Sequence, residues 1–307
     1  MKAIMYHYVR IPDIRIPYFK FLHFKNFKKQ LDYFQSNYQI LDPLVISKSV
    51  SADGIVLTFD DGLKDHFDYV MPELIKRNLK AIFYISTGVY QKNKLLDVHR
   101  LHMLLGKYGG TFIYKRLKSL ITDEMLVDAH VEEFKKLTYL TQENDDFTTI
   151  VKRIVNYFMN YMYREDVMDQ LMSDLFDDEE KLSASFYLSK NEIRDMHNQG
   201  MLIGSHTVNH KVMSKLSSEE QEFEIEKSFS FLETITKGLK CKTFCYPYGG
   251  FHTFTNETEK ILEKHHSSFA FNVEPRDIET VDLAERRQAL PRYDCNLFPH
   301  GKIFKYE

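Results

Sequence analysis

Cysteine is scarce in this 307-residue chain: Cys241, Cys245 and Cys295 make an odd set without the paired spacing of a zinc ribbon. That excludes a disulfide framework and points to buried free thiols in a reducing cytosol. Residues 1–10 hold no apolar segment after Lys2, so no secretory signal is expected there. No apolar run approaches the ~20 residues that cross a bilayer. A cytoplasmic protein without a membrane span is the expectation. Long basic runs are missing too, and the net charge is −3, so no nucleic-acid partner is expected. Nor is there an internal repeat or a low-complexity segment. What remains is ordinary globular composition, 43% apolar and 28% charged, long enough to bury a sizeable core.

One stretch organises the rest. Val56-Leu57-Thr58-Phe59-Asp60-Asp61-Gly62 is an apolar run that ends in two adjacent carboxylates and a glycine. Successive side chains of a strand point to opposite faces, so Asp60 and Asp61 take different jobs if the chain breaks there, and Gly62 permits the break. The carboxyl ends of strands are where α/β sheets collect catalytic groups. Around it, a strand over 2–8 carries His7 near its end, and the spacing of Phe, Leu and Tyr over 24–34 predicts an amphipathic helix. Helical periodicity follows over about 65–77, broken or restarted at Pro72 and stopped at Asn78. The apolar run 80–85 reads as a strand buried on both faces. Such alternation predicts a parallel sheet.

From about 94 to 181 the pattern changes to long helical periodicity and dense charge, a helical insertion. Ile150, Ile154, Phe158 and Met162 recur every four residues and predict one packed stripe, with Lys152, Arg153 and Asn156 between them. The acidic run 177–180 reads as a solvated turn. His99 and His102 share one face of the insertion's first helix. The core pattern resumes with Ser189 and Glu192 as a capping box and Gly200 as the helix stop. A strand over 201–204 runs into Ser205-His206-Thr207-Val208-Asn209-His210. A second capping box, Ser217 with Glu220, opens a long helix ending near Gly238. Then come a strand over 242–246, the loop Pro247-Tyr248-Gly249-Gly250, a helix over about 256–264 and the apolar run 269–271. A last short strand is expected before Pro291-Arg292-Tyr293-Asp294. Cys241 and Cys245 lie on one face of their strand, and packing accounts for them.

His206 and His210, four residues apart, put two imidazoles on one side of a compact loop. Two neutral imidazoles and one carboxylate suit a divalent transition metal, and three protein ligands leave room for a water whose pKa the cation lowers. With one aspartate of the pair on the metal, its neighbour is left to take a proton. An iron-dependent oxygenase uses similar ligand types, but the spare carboxylate fits hydrolysis better.

Thr58-Phe59-Asp60-Asp61-Gly62 and His206-Thr207-Val208-Asn209-His210 resemble the first two motifs of the polysaccharide deacetylases, the NodB-homology or carbohydrate esterase family 4 group. The resemblance implies a single catalytic domain over 1–307 with the insertion at about 94–181, folded as α/β, an irregular (β/α) barrel of the NodB-homology type. It implies Asp60 as general base and Asp61, His206 and His210 as ligands of a metal, most often zinc. Tyr246-Pro247-Tyr248-Gly249 resembles the third motif, in which the Tyr248 N–H serves the oxyanion while Tyr246, Pro247 and Gly249 line the substrate groove. The family's arginine two residues before this proline is replaced by Cys245, and Arg292 is the candidate to supply that cation. The late histidine motif of the general acid is missing. His7 is the leading substitute, ahead of His252 and His300. The implied activity is removal of an acyl group, N-acetyl by the resemblance, from an amino sugar or glycan intermediate in surface-polysaccharide biosynthesis. A catalytically inactive carbohydrate-binding homologue is the alternative.

Overall fold

A computed structural model describes residues 1–48, 52–127, 131–140 and 142–305. The chain divides into two compact units, one of Met1–Pro12, Phe21–Lys92 and Ala184–Lys305, the other including Asp13–Lys20 and Asn93–Ser183. The helical run expected at about 94–181 falls in the second.

The first unit is built on strands β1 (Lys2–Tyr6), β2 (Val9–Arg10), β3 (Leu22–His23), β4 (Ile55–Phe59), β5 (Ile82–Ile85), β6 (Leu202–Ser205), β7 (Thr243–Cys245), β8 (Phe269–Phe271) and β9 (Tyr293–Asp294). Among the described residues, seven of them form one sheet in the order β8-β7-β6-β5-β4-β1-β9, parallel throughout and curled into a half-barrel. Parallel strands put all their carboxyl ends on one edge. Every residue of β4 is buried, as expected for a strand covered on both faces. On one face Tyr6 stacks on Phe59 and Phe59 on Phe83, with centroids 5.0 and 4.9 Å apart, and Phe27 closes edge-on over Tyr6. Burying each such ring stabilises the unit by about 1.5–3 kcal/mol. This ladder holds the ends of β1, β4 and β5 in fixed register.

Both capping boxes form, on helices Lys190–Asn198 and Ser218–Thr236. The helix expected over 256–264 is Asn256–Lys264. Pro72 sits in the first turn of helix Met71–Lys76, where its missing N–H costs nothing, just after a π-turn at His66–Val70. The last strand lies after Pro291 rather than before it. As β9 it pairs with β1, Ile4 opposite Tyr293. This non-local pairing carries Arg292 to the sheet edge.

In the second unit the predicted stripe is corrected. Ile150 and Met162 are exposed, while Val151, Val155, Tyr157 and Met159 are buried. A π-turn at Ile154–Phe158 and extended backbone at Met159 shift the phase, and Asn160 caps a new helix, Tyr161–Leu175. Periodicity of four cannot run through such a break. Lys152 and Asn156, expected between stripe residues, are themselves buried, the Lys152 ammonium donating to Gln142 Oε1 at 2.6 Å over the Tyr139 ring. In the acidic run Asp177, Asp178 and Glu180 are exposed, as expected, but Glu179 is not a solvated turn residue: it opens a helix and takes two bonds from the buried Arg100 guanidinium at 2.6 and 3.0 Å.

Candidate active site and metal centre

The site grows from the end of β4. Asp60 still donates its N–H to the Tyr6 carbonyl at 2.9 Å, after which Asp61 and Gly62 take left-handed backbone, φ 81 and 67. Glycine fits at the second position because it alone adopts that conformation without strain. Through this turn the two carboxylates reach different surroundings.

Asp61 Oδ1 lies 3.4 Å from His206 Nε2 and 3.3 Å from His210 Nε2. All three side chains are buried, and their three donor atoms lie within 4.8 Å of one another. His206 Nδ1 meets the Cys245 carbonyl at 2.7 Å. A proton donated there leaves Nε2 with its lone pair toward Asp61, the tautomer a metal ligand needs. Two imidazole nitrogens and a carboxylate, buried and convergent, fit a divalent transition metal. The His210 ring packs on Tyr248, centroids 4.9 Å apart.

Asp60 faces the other way. Arg292 grips it bidentately, Nη1 to Oδ1 at 2.8 Å and Nη2 to Oδ2 at 2.7 Å, with both side chains buried. Arg292 Nη1 also donates to Thr58 Oγ1 at 3.1 Å, and that hydroxyl donates to the Ile4 carbonyl. Burial alone would push the Asp60 carboxyl up, but Arg292, His206 and His7 outweigh it and hold it below its ordinary value. His7 Nε2 stands 3.8 Å from Asp60 Oδ2, and 40% of its side chain reaches solvent. Cys245, expected only to pack, lies inside this cluster: its Sγ accepts from Arg292 Nη2 at 3.0 Å and lies 3.5 Å from Asp60 Oδ2. Burial raises its pKa, which keeps the thiol protonated.

The structure thus gathers His7, Asp60, Asp61, His206, His210 and Arg292, with Tyr248 against His210. Tyr246 is placed otherwise than expected. Its ring is buried, stacks on Phe254 at 3.8 Å and donates its hydroxyl to the Gln288 carbonyl, so it supports the loop from beneath instead of facing a sugar. Pro247 and Gly249 are buried in the same loop, where Tyr248, Gly249 and Gly250 all have positive φ. A side chain at 249 would overlap Val273 at 2.2 Å. His300 belongs to a separate cleft of about 450 Å³ with Asn26, Asn296 and Lys302.

A model of the family described as polysaccharide deacetylase matches residues 47–270, most of the chain. The chain belongs to the polysaccharide deacetylase family. Among curated proteins no sequence matches it. Among solved structures, the Streptococcus pyogenes deacetylase PplD in complex with acetate is similar at 14% identity and TM-score 0.59, over 96% of this chain and 91% of that one. IcaB from Ammonifex degensii is similar at 16% identity and TM-score 0.51, over 88% and 82%. A polysaccharide deacetylase from Bacillus cereus is similar at 17% identity and TM-score 0.54, over 95% and 64%. At these identities the likeness is one of fold.

Sequence reasoning missed His66 in this family member's site. Its Nε2 meets the His7 carbonyl at 2.9 Å, and burial pushes its pKa down to about 4, so the neutral ring donates there and fixes the backbone that carries His7. No spacing marks such a contact, because it joins a π-turn to the end of β1.

Proposed function

We propose that the protein is a metal-dependent hydrolase that removes an N-acetyl group from an amino sugar or glycan intermediate of surface-polysaccharide assembly. The carrying observation is the division of labour between two neighbouring carboxylates: Asp61 converges with two imidazoles, while Asp60 is tied to a cation and faces a histidine. Asp61, His206 and His210 would hold the metal, and their nitrogen-rich donor set favours zinc. When bound, the metal supplies a Lewis acid that polarises the amide carbonyl and acidifies a water. Asp60, kept ionised by Arg292, accepts the water's proton. The Tyr248 N–H, on a loop that buried Tyr246 and Pro247 hold in place, donates to the carbonyl oxygen as charge develops on it. His7 delivers a proton to the leaving amine, which departs poorly as its anion, and its partial exposure lets it reload from solvent.

Three buried thiols, none bonded to another, support work in a reducing compartment such as the cytoplasm. Among the described residues no helix is long and apolar enough to cross a membrane.

The test is acetate release from N-acetylated sugars, nucleotide sugars and chitooligosaccharides by metal-stripped protein with zinc restored. Zinc-dependent release is expected, and Asp60→Asn is expected to lower kcat by about 10²–10⁴. Binding of sugar and zinc with no release from any substrate would instead favour the carbohydrate-binding homologue.

A further inference from the structure

Residues 206–210 follow β6 without regular secondary structure, so their backbone groups need partners from elsewhere. Thr207 and His210 also have left-handed backbone, φ 66 and 51, a conformation that L residues hold only when their surroundings impose it. Some partners are near: the Thr207 and Val208 carbonyls accept from the Thr87 and Gly88 N–H groups at 3.1 and 2.8 Å, and the His210 N–H donates to Thr207 Oγ1 at 2.9 Å. Of the three N–H groups between the two histidines, that of Thr207 donates to Ser205 Oγ at 3.3 Å, and the other two turn to a single side chain. Glu224, buried on helix Ser218–Thr236, accepts the Val208 N–H at 2.8 Å and the Asn209 N–H at 2.7 Å on Oε2, and the Asn209 amide at 2.7 Å on Oε1. A carboxylate suits this place because it offers only acceptors.

We propose that Glu224 is a positioning residue of the metal centre: by fixing the Val208 and Asn209 N–H groups it sets the loop that aims His206 and His210 at Asp61. This rests on the metal-centre reading above. Glu224 touches no ligand atom, and its effect travels through the backbone of the loop. An amide at 224 would turn an NH₂ toward N–H donors and lose part of the set, leaving the imidazoles to be ordered at the expense of metal affinity.

The experiment measures zinc affinity of the metal-stripped full chain by competition with a chromogenic chelator, beside hydrogen exchange of the 206–210 amides. Glu224→Gln is compared with wild type and with Glu222→Gln, a control on the same helix whose carboxylate meets Lys264 and His265 at the surface. Expected are zinc affinity weakened about 10–100-fold and faster exchange at Val208 and Asn209 in Glu224→Gln. Glu222→Gln is expected to match wild type. Should Glu224→Gln fail to fold by circular dichroism, Asn209→Ser, which keeps Glu224 and removes one donor, is expected to weaken zinc binding less but in the same direction. Wild-type zinc affinity in the folded Glu224 variant, or in Asn209→Ser where that substitutes for it, overturns the proposal alone. If wild type binds no zinc, the metal-centre reading falls and this proposal with it.

Discussion

At Asp60, burial and charge pull in opposite directions: burial pushes the carboxyl up, and Arg292, with His206 and His7, holds it below its ordinary value. Replacing Arg292 by Met leaves a buried charge without its cation. A loss of about 3–5 kcal/mol in denaturant unfolding is expected, and adding Asp60→Asn to that variant should restore part of it. His66 makes a second prediction, this one in pH. Its folded pKa, about 4, lies below its ordinary value of 6.5. The unfolded chain therefore takes up a proton that the folded one refuses as pH falls from 6.5 toward 4. Its contribution to stability is present above 6.5 and lost across that window. In His66→Phe, the slope of unfolding free energy against pH between 6.5 and 4 should flatten by about one proton, and an unchanged slope would refute the assignment.

At the scale of elements, β6 depends on a residue that carries no side chain. A Cβ on Gly204 would lie 2.5 Å from the Tyr84 ring and 2.9 Å from Thr243, on either side of the strand that leads into His206. Tyr84 is fully buried and its hydroxyl bonds Thr243, so neither neighbour yields freely. Gly204→Ala is expected to cost about 1–3 kcal/mol by overpacking, read from a thermal or denaturant melt. Sequence described such elements well where the signal is local. Both capping boxes and helix Asn256–Lys264 follow from their own residues. Local signals failed at 150–162, where a π-turn shifted the buried face, because nothing in a four-residue spacing announces an extra residue in a turn.

For the whole molecule, the consequence of a convergent ligand set is linkage between metal and fold. Zinc that binds the native chain and not the unfolded one should raise the melting temperature, with about 2.7 kcal/mol gained at a free concentration 100 times the dissociation constant. A chelator should reverse the shift. In Asp61→Ala the shift should vanish, and a full shift in that variant would place the metal elsewhere. The division into two units adds a further observation to the same melt: whether one transition or two appears reports their cooperativity.

By itself the sequence determined the parallel α/β alternation, the strand that ends in Asp60 and Asp61, the His206 and His210 pair and the family to which these belong. Each is written in neighbouring residues, in a period or in a short motif. Only the tertiary structure decided that Arg292 pairs with Asp60, that Cys245 lies in the same cluster, that Tyr246 faces inward, and that His66 and Glu224 brace the two site loops. Those contacts join residues far apart in the chain, and they exist because β9 pairs with β1 and a helix lies behind β6. No local pattern encodes which distant side chain will fill a given polar gap. The packed sheet does so by placing the ends of its strands side by side.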